Sequence, residues 1–554
     1  MISHGTLTIE GKQFRLDTEP HVRMVVKRLL IGCDVKGNTI RIKRTPSTTE
    51  DMKMILGRWH HDVSPALRDL IEARVESNIA DREQARLIMS GEAKPTEPAR
   101  WNPAMPLRDY QLQPVALSRI MRGLLIGDDL GLGKTAEGIA IIADNPGKAL
   151  VVCQRHLQEQ WRDQIQLFCP GLKTHIIKWK KEYILPEHDV TICSYTKIAE
   201  WAFRRDWETV VYDEVQELRH STTVKYQGAK HLATECSTRI GLSATPVYNY
   251  AGEIYNVMEI LSPGTCGSLE EFKWEWTADD KFRVADPEAL GDWLRNQNIY
   301  IRRRRADVGR ELPKVHRMNH MVEHNPKVIA RMAAQFNELA QKVLTAGFHQ
   351  AGLASRELDI KMRHVTGLAK APFVADFVET LALNGEKVLL AGWHRDVYEV
   401  WRREFQRMGI KAAFFTGTES PAQKAAAVKG FTQGDTQVLI MSLRSGAGLD
   451  GLQTAARTVV IGELDWSPQV IEQLIGRLNR DGQASQVTVF TLVSDAGADP
   501  IMATVLGAKW ESSTGLTDPH LLKQKHDSGL GTPGPVNRVA ELASHWLNQK
   551  KHED

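Results

Sequence analysis

One glycine-rich run carries residue types that bind a polyphosphate. It has the sequence DDLGLGKT at residues 128–135, follows the apolar segment Leu124–Ile126 and leads into a helix-like stretch at 135–143. Backbone N–H groups of such a loop can surround phosphate oxygens, and the N-terminus of the following helix adds positive potential. We therefore expect Lys134 to reach the β- and γ-phosphates of a nucleotide and the Thr135 hydroxyl to ligate Mg²⁺.

This loop departs from the strict phosphate-loop pattern at one position. The pattern requires glycine six places before the lysine, and here that place is occupied by Asp128. The alternative interpretation of the segment alone is a glycine-rich turn that binds nothing.

An acidic pair follows another apolar run. Asp213 and Glu214 come directly after the segment Thr209–Tyr212, which predicts a buried strand of the same sheet. Asp213 could hold the magnesium shell, and Glu214 could orient or deprotonate a water that attacks the γ-phosphate. Without a phosphate loop upstream, such a pair is more often a solvated acidic pair.

Two arginines stand three residues apart in the second half of the chain. Arg477 and Arg480 lie in the run QLIGRLNRDGQ, and their spacing predicts that they share one face of a helix. The simpler interpretation is a solvated basic face. Beside a nucleotide they would suit the role of arginine fingers, because a planar guanidinium matches a phosphate with spreading charge.

Two shorter motifs flank the phosphate loop. The run LRDYQ, at residues 107–111, places an aromatic ring and the amide of Gln111 where they could contact adenine. The run SATP starts at Ser243 after a predicted strand, and its hydroxyl residues Ser243 and Thr245 could link a hydrolysis site to neighbouring elements. Taken alone, SATP predicts only a turn.

The elements that must position these residues are two series of alternating strands and helices. This alternation predicts parallel sheets covered by helices, and hence an α/β chain. The strands of the two series are predicted at 124–126, 149–153, 190–194, 209–212 and 239–243, and at 387–391, 412–415, 437–441, 458–461 and 486–492.

A small α+β module, with a predicted hairpin around Glu10-Gly11-Lys12, precedes the two series. The predicted organisation is an N-terminal module at 1–92, a linker at 93–104, a first lobe at 105–263, a helical insertion and inter-lobe linker at 264–370, a second lobe at 371–510 and a polar, loosely packed tail at 511–554.

Bulk properties leave the function class open. The 554 residues are 42% hydrophobic and 25% charged, as in ordinary globular proteins. No apolar run is long enough to span a bilayer and no secretory signal is evident. The six cysteines form no CxxC pair, which favours a reducing cytosol. A net charge of +3 means that any nucleic-acid site must be a local patch.

Taken in order, a series of short motifs makes a specific resemblance. The motifs are LRDYQ, GDDLGLGKT, LVVCQRHLQEQW, VTICSY, VVYDEVQ, GLSATPVYN, YIRRRRADVGRELP, KVLLAGWHRDV, VLIMSLRSGAGLDGLQ, DWSPQ and QLIGRLNRDGQ. The series, over about residues 105–510, resembles the Swi/Snf-type branch of superfamily two helicases and translocases, and Asp128 is the residue that this branch uses. The runs GLAKAP, GWHRDV and GLDGLQ resemble the annealing-helicase (HARP) side of the branch and compact phage or bacterial relatives.

The resemblance implies two RecA-like lobes, with ATP and Mg²⁺ bound between them. The residues implied to bind ATP are Arg108, Gln111, Asp129, Gly131, Gly133, Lys134, Thr135 and Ala136. Thr135 and Asp213 would hold Mg²⁺, and Lys134, Glu214, Arg477 and Arg480 would be catalytic. Ser243, Thr245 and Gln473 would couple hydrolysis to movement. The chain departs from the family at Gln154 and Arg155, where proline is usual nearby, and at Gln216, where histidine is frequent.

Nucleic-acid contacts are predicted from charge. The densest basic run is Arg302-Arg303-Arg304-Arg305, and Arg41 and Lys43 alternate on one predicted strand of the N-terminal module. The run could contact DNA, or it could be a localisation signal, a solvated face or a structural link between the lobes. The module could recognise branched DNA structures, or it could be a packing or partner domain.

The predicted function is an ATP-dependent motor that moves on double-stranded or branched DNA, for fork remodelling or strand annealing. One alternative is a strand-separating DNA or RNA helicase of superfamily two. A second alternative, from another class, is a nucleotide-regulated recruitment protein with little turnover. Replication, recombination or nucleoprotein partners are compatible with the motor, which is expected to be a monomer in the bacterial or phage-infected host cytoplasm, or in the nucleus if eukaryotic.

Overall fold

Two parallel sheets and one small antiparallel sheet organise the chain. The computed structural model describes residues 3–30, 33–93, 95–204, 206–244, 251–277, 284–309, 312, 315–443, 451–504, 506 and 538–550. The chain divides into two compact units, of which the first comprises 1–127, 133–286 and 292–301, and the second 128–132, 287–291 and 302–554.

The N-terminal module has its own sheet and its own core. Its elements are β1 (Gly5–Glu10), β2 (Gln13–Thr18), α1 (Pro20–Leu29), β3 (Asp34–Lys36), β4 (Thr39–Lys43), α2 (Pro46–Arg58) and α3 (Pro65–Met89). The predicted hairpin is β1–β2, and the antiparallel strand order is β1-β2-β4-β3. Apolar side chains that alternate along these strands meet those of the helices in one buried cluster, which includes Phe14, Leu16, Val26 and Ile55.

The first parallel sheet follows this module. The elements up to its last strand are α4 (Asp109–Met121), β5 (Gly123–Ile126), α5 (Lys134–Asp144), β6 (Ala149–Cys153), α6 (Gln158–Phe168), β7 (Thr174–Ile176), β8 (Val190–Ser194), α7 (Ile198–Trp201), β9 (Thr209–Asp213), α8 (Val224–Glu235), β10 (Thr238–Leu242), α9 (Ala251–Leu261), α10 (Leu269–Trp276), α11 (Pro287–Asn296) and β11 (Tyr300–Ile301). The strand order is β11-β5-β10-β9-β6-β8-β7. This order places the ends of β5, β10 and β9 side by side.

The second parallel sheet belongs to the second unit. The elements of this part are β12 (His316–Met321), α12 (Pro326–Ala330), α13 (Ala333–Thr345), α14 (Phe348–Leu383), β13 (Val388–Gly392), α15 (Arg395–Met408), β14 (Ala412–Phe415), α16 (Pro421–Gln433), β15 (Val438–Ser442), β16 (Thr458–Ile461), α17 (Pro468–Ile475), β17 (Thr488–Val493) and α18 (Arg538–Lys550). The strand order is β12-β17-β16-β13-β15-β14, and every pairing in it is parallel.

These sheets confirm the predicted α/β fold class with two parallel-sheet lobes. Their central strands are continuous apolar runs, such as Ala149–Cys153 and Val388–Gly392, whose residues are all buried. Such runs are typical of parallel strands that are covered on both faces. Among the described helices, none has the length and apolar character needed to cross a membrane.

Part of the predicted loose tail is instead a packed helix. In α18, Leu542 is fully buried and Trp546 is 6% exposed, within the apolar cluster of the second unit. The Trp546 ring makes an edge contact with Phe336, and its indole N–H donates to Asn337 Oδ1 at 2.7 Å. The described part of the 511–554 segment therefore contributes to the core.

Candidate nucleotide-binding and hydrolysis site

The phosphate loop connects a fully buried strand to a helix. All residues of β5 are buried, and α5 begins at Lys134. Gly131 and Gly133 have φ values of 81° and 91°, in the left-handed region where a side chain would be strained. The sequence therefore places glycine where the backbone must turn, and Lys134, Thr135 and Ala136 form the first turn of α5.

Gln111 packs directly against this loop. Its side chain is 5% exposed, and its Nε2 atom lies 2.5 Å from the place where a Cβ on Gly133 would be. The Gln111 Oε1 atom accepts the Arg108 backbone N–H at 3.0 Å, which fixes the amide at the start of α4. The structure thus brings Gln111 and Gly133 together, as expected for one nucleotide site.

The acidic pair lies at the end of β9, and Asp213 is its first residue. The Trp161 indole N–H donates to Asp213 Oδ2 at 2.8 Å, and the Tyr195 hydroxyl donates to the Asp213 carbonyl at 2.8 Å. Burial, followed by the nearby Glu214 carboxylate, raises the pKa of Asp213 to about 7, while the Trp161 hydrogen bond and the Lys134 charge act in the opposite direction. The cluster therefore favours a nearby cation.

Glu214 has an unusual backbone conformation. Its φ and ψ angles are 53° and 57°, in the left-handed region that non-glycine residues rarely adopt. The side-chain amide of Gln216, which is 2% exposed, donates a hydrogen bond to Glu214 Oε2. The left-handed backbone and the Gln216 amide together fix the position of the Glu214 carboxylate.

Ser243 completes this edge of the sheet. It follows β10, is 1% exposed, and its backbone N–H donates to the Ile126 carbonyl at 3.0 Å. Since β10 lies between β5 and β9, Ser243 lies between the phosphate loop and the acidic pair. Thr245 lies outside the described residues, as does the 444–450 segment.

The implied Mg²⁺ fits these residues. Oxygen ligands are those that Mg²⁺ prefers, and Thr135 offers a hydroxyl in the first turn of α5 while Asp213 offers a carboxylate at the end of β9. Burial, and after it the neighbouring Glu214 carboxylate, raises the pKa of Asp213, so a cation bound beside it would stabilise its charged form. Sequence reasoning did not single out Trp161, although it falls inside a motif of the series, and it named Gln216 only as a departure from the family.

The predicted helical arrangement of the two second-unit arginines is wrong. The helix α17 ends at Ile475, and Arg477 and Arg480 lie in the turns that follow. The Arg477 and Leu478 backbone N–H groups bond carbonyls three residues back, at 3.0 Å each, instead of continuing the α-helical pattern. The apolar spacing in the sequence continues past Gly476, but the α-helical backbone ends at Ile475. Gln473 remains on α17 and is half-buried.

Five of the six basic residues predicted to contact DNA, the arginines, pair with carboxylates of the protein. Arg41 Nε donates to Glu10 Oε2 at 2.7 Å, whereas Lys43 is exposed at the end of β4. The side chains of Arg302, Arg303 and Arg305 are 9%, 10% and 12% exposed, and each pairs with an aspartate. The run 302–305 is therefore not an open basic surface.

Two family models match the chain. The SNF2-related domain matches residues 57–347, and the helicase conserved C-terminal domain matches residues 370–482. The first match contains every strand of the first parallel sheet and also β12, and the second match contains β13 to β16.

Relatives with curated names agree with these matches. The chain is 25% identical to the chromodomain-helicase-DNA-binding protein 1-like of Danio rerio, over 80% of this chain and 46% of that protein. It is 25% identical to the uncharacterized ATP-dependent helicase YqhH of Bacillus subtilis, over 67% of this chain and 72% of that protein. It is also 25% identical to the DNA annealing helicase and endonuclease ZRANB3 of Mus musculus, over 70% of this chain and 38% of that protein. The chain thus spans less than half of the length of two of these three relatives.

A solved structure is also similar. The SWI2/SNF2 ATPase core of Sulfolobus solfataricus in complex with dsDNA aligns over 77% of this chain and 99% of that chain, with 20% identity and a TM-score of 0.38. The predicted membership of the Swi/Snf-type branch is confirmed by the family models. Because the first model alone covers more than half of the 554 residues, the protein belongs to the SNF2-related family.

Proposed function

We propose that the protein is a DNA-stimulated ATPase that moves along double-stranded or branched DNA. The observation that carries the proposal is the placement of the phosphate loop, Ser243 and the Asp213-Glu214 pair at the ends of three adjacent strands, β5, β10 and β9. Relatives whose names refer to DNA annealing or DNA binding support DNA as the track.

The site residues predicted from the sequence have proposed parts in hydrolysis. Backbone N–H groups of the loop and Lys134 hold the triphosphate, and Gln111 contacts the adenine side of the site. Thr135 and Asp213 would hold Mg²⁺, which supplies positive charge to the phosphate oxygens. Glu214 accepts a proton from the attacking water. Arg477 and Arg480 are proposed to stabilise the charge that develops on the transferred phosphate.

The Glu214→Gln variant tests the hydrolytic assignment. It keeps the size of the side chain and removes the basic carboxylate, so ATP binding should persist while the DNA-stimulated kcat falls by about 10²–10⁴. Glu182→Gln is the matched control, because Glu182 is exposed in the same unit. Substantial turnover in Glu214→Gln would remove Glu214 from this role.

The nucleic-acid track needs a separate measurement. The ATPase rate should be compared with linear duplex, forked duplex, single-stranded DNA and RNA at several salt concentrations. A duplex translocase is stimulated most by duplex or forked DNA, because it contacts the backbone rather than base edges. Greater stimulation by single strands or RNA would favour a strand-separating helicase, and no stimulation at all would favour the recruitment protein.

A further inference from the structure

The arginine run 302–305 continues beside the phosphate loop after β11 ends. In the first unit, the Leu125 and Gly127 N–H groups donate to the carbonyls of Ile299 and Ile301 at 2.8 and 2.7 Å. In the second unit every second residue again donates a backbone hydrogen bond, since the Asp129 N–H donates to the Arg303 carbonyl at 3.0 Å. The backbone pairing of a parallel ladder therefore reaches into residues 128–132.

Arg303 forms a buried fork on Asp128. Its Nε atom lies 3.1 and 2.9 Å from the two carboxylate oxygens, and its Nη2 atom lies 2.5 Å from Oδ2. The Arg303 backbone N–H adds a bond of 3.1 Å to Oδ1. Asp128 has no exposed surface and Arg303 is 8% exposed, so this charge-assisted pair is shielded from water.

Neighbouring arginines hold the next loop residues. Arg302 Nη2 lies 2.7 Å from Asp129 Oδ1, and the Arg305 backbone N–H donates to Asp129 Oδ2 at 3.2 Å. Arg305 Nη2 donates to the Leu130 carbonyl at 2.6 Å, close to Gly131. Arg304 is different, because its guanidinium pairs with Asp307 at 2.8 Å within its own turn and is 32% exposed.

The arginine pairs neutralise two carboxylates that lie at a proposed anion-binding loop. Asp128 and Asp129 place two negative charges at the start of a loop that is to receive a triphosphate. Unpaired carboxylates there would repel the ligand, and a buried unpaired Asp128 would carry a large desolvation cost. Paired with Arg303 and Arg302, the two carboxylates become anchors that hold the loop.

We propose that Arg303 is a positioning residue for nucleotide binding: its fork on Asp128 neutralises and fixes the first half of the phosphate loop. The inference rests on the proposed role of residues 128–135 in holding the triphosphate. It also replaces the DNA contact predicted for Arg303, since that side chain is already engaged and buried. Arg303 acts through Asp128 and does not itself touch the nucleotide.

Binding of a fluorescent ATP analogue with Mg²⁺, measured without DNA, tests this proposal. Arg303→Met should weaken the affinity by about tenfold or more, and Arg303→Lys should recover part of it, because lysine keeps the charge but lacks the fork. Asp128→Asn should weaken binding as well. The double variant Asp128→Asn with Arg303→Met should bind the ATP analogue as tightly as whichever single variant has the lower affinity, because the two residues act as a unit.

Arg304→Met is the matched control, since it removes the same charge from the same run. We expect its ATP affinity to stay within about twofold of the wild type. Melting temperatures measured for every variant identify unfolded protein, and if Arg303→Met does not fold, Arg303→Lys and Asp128→Asn carry the test.

Two results would overturn the proposal. One is a folded Arg303→Met protein that melts earlier but binds ATP like the wild type, which would make the pair purely structural. The other is equal weakening of DNA stimulation by Arg303→Met and Arg304→Met with unchanged ATP affinity, which would make the run a DNA patch. Lys134→Ala separates this proposal from the site itself: unchanged ATP binding in that variant would reject the phosphate site.

Discussion

The Glu214 carboxylate is held by two local features, a left-handed backbone and the amide of Gln216. A non-glycine residue in that region costs on the order of 1–3 kcal/mol and persists only where its surroundings fix it. Fixing Glu214 in this way is consistent with its proposed role, because a base must be oriented before water attacks. Gln216, where the family often has histidine, supplies the hydrogen-bond donor.

Gln216→Met tests whether that donor matters. Methionine keeps the length of the side chain and removes the amide, and hydrogen bonds to charged groups contribute about 1.5–3 kcal/mol. We expect the kcat of the DNA-stimulated ATPase to fall by roughly tenfold or more, with the KM for ATP unchanged, since Glu214 is not proposed to bind the nucleotide. Steady-state ATPase assays at saturating DNA measure both constants.

The control for this variant is Gln227→Met. The Gln227 amide also makes a hydrogen bond, to the Ser221 carbonyl at 2.9 Å, but on an exposed surface. Its kinetics should match the wild type. A change confined to KM in Gln216→Met would mean that Gln216 acts on nucleotide binding instead.

Among the elements, α18 shows how the end of a predicted polar tail can complete a core. Six of its 13 residues are apolar, and four of them, Val539, Leu542, Ala543 and Trp546, recur at helical spacing and are buried. They join the apolar cluster that also includes residues of α13 and α14. The helical spacing of these apolar residues forms a buried face only because α13 and α14 offer an apolar surface against which it packs.

Trp546→Ala should therefore destabilise the second unit. The change removes a large buried ring and its hydrogen bond to Asn337, and such truncations cost about 3–5 kcal/mol. Hydrogen exchange should show faster exchange of amides in 538–550 and in α13. Trp274→Ala is the control, because Trp274 is 85% exposed. Unchanged protection in Trp546→Ala would mean that α18 does not dock stably.

At the scale of the whole molecule, a net charge of +3 gives no general attraction to DNA. The pairing of Arg302, Arg303 and Arg305 with aspartates removes the densest basic run from the candidate DNA surface. Lys43, exposed on the N-terminal module, remains a proposed contact, while Arg41 is already paired with Glu10. Recognition of branched DNA by this module remains a proposal.

Lys43→Glu examines this proposal in the full chain. If Lys43 contacts a phosphate of branched DNA, ATPase stimulation by forked duplex should fall more than stimulation by linear duplex. The slope of log affinity against log salt for the fork should decrease in magnitude by about 0.9. Lys36→Glu, on the exposed strand β3, is the matched control. Equal loss on both DNAs would reject structure recognition, and no loss would exclude Lys43 from the contact.

The local parts of this protein could be predicted from its amino-acid sequence. Short apolar runs located ten strands of the two parallel sheets to within about two residues, because burial on both faces of a parallel sheet demands such runs, whereas β7, β11 and β12 were not predicted. The phosphate loop and the Asp213-Glu214 pair could also be predicted, because each motif consists of residues that are neighbours in the sequence. The end of α17 was not readable, because the apolar spacing around Gly476 continues beyond the last helical residue.

Which distant side chains meet depends on how the strands are ordered in the folded chain. Asp128 and Arg303 are separated by 175 residues, and their fork exists because β11 lies beside β5 and leads the arginine run along the loop. From sequence alone the same run was a candidate DNA patch. Charge can be counted along a chain, but its partners depend on strand order, which long-range packing selects.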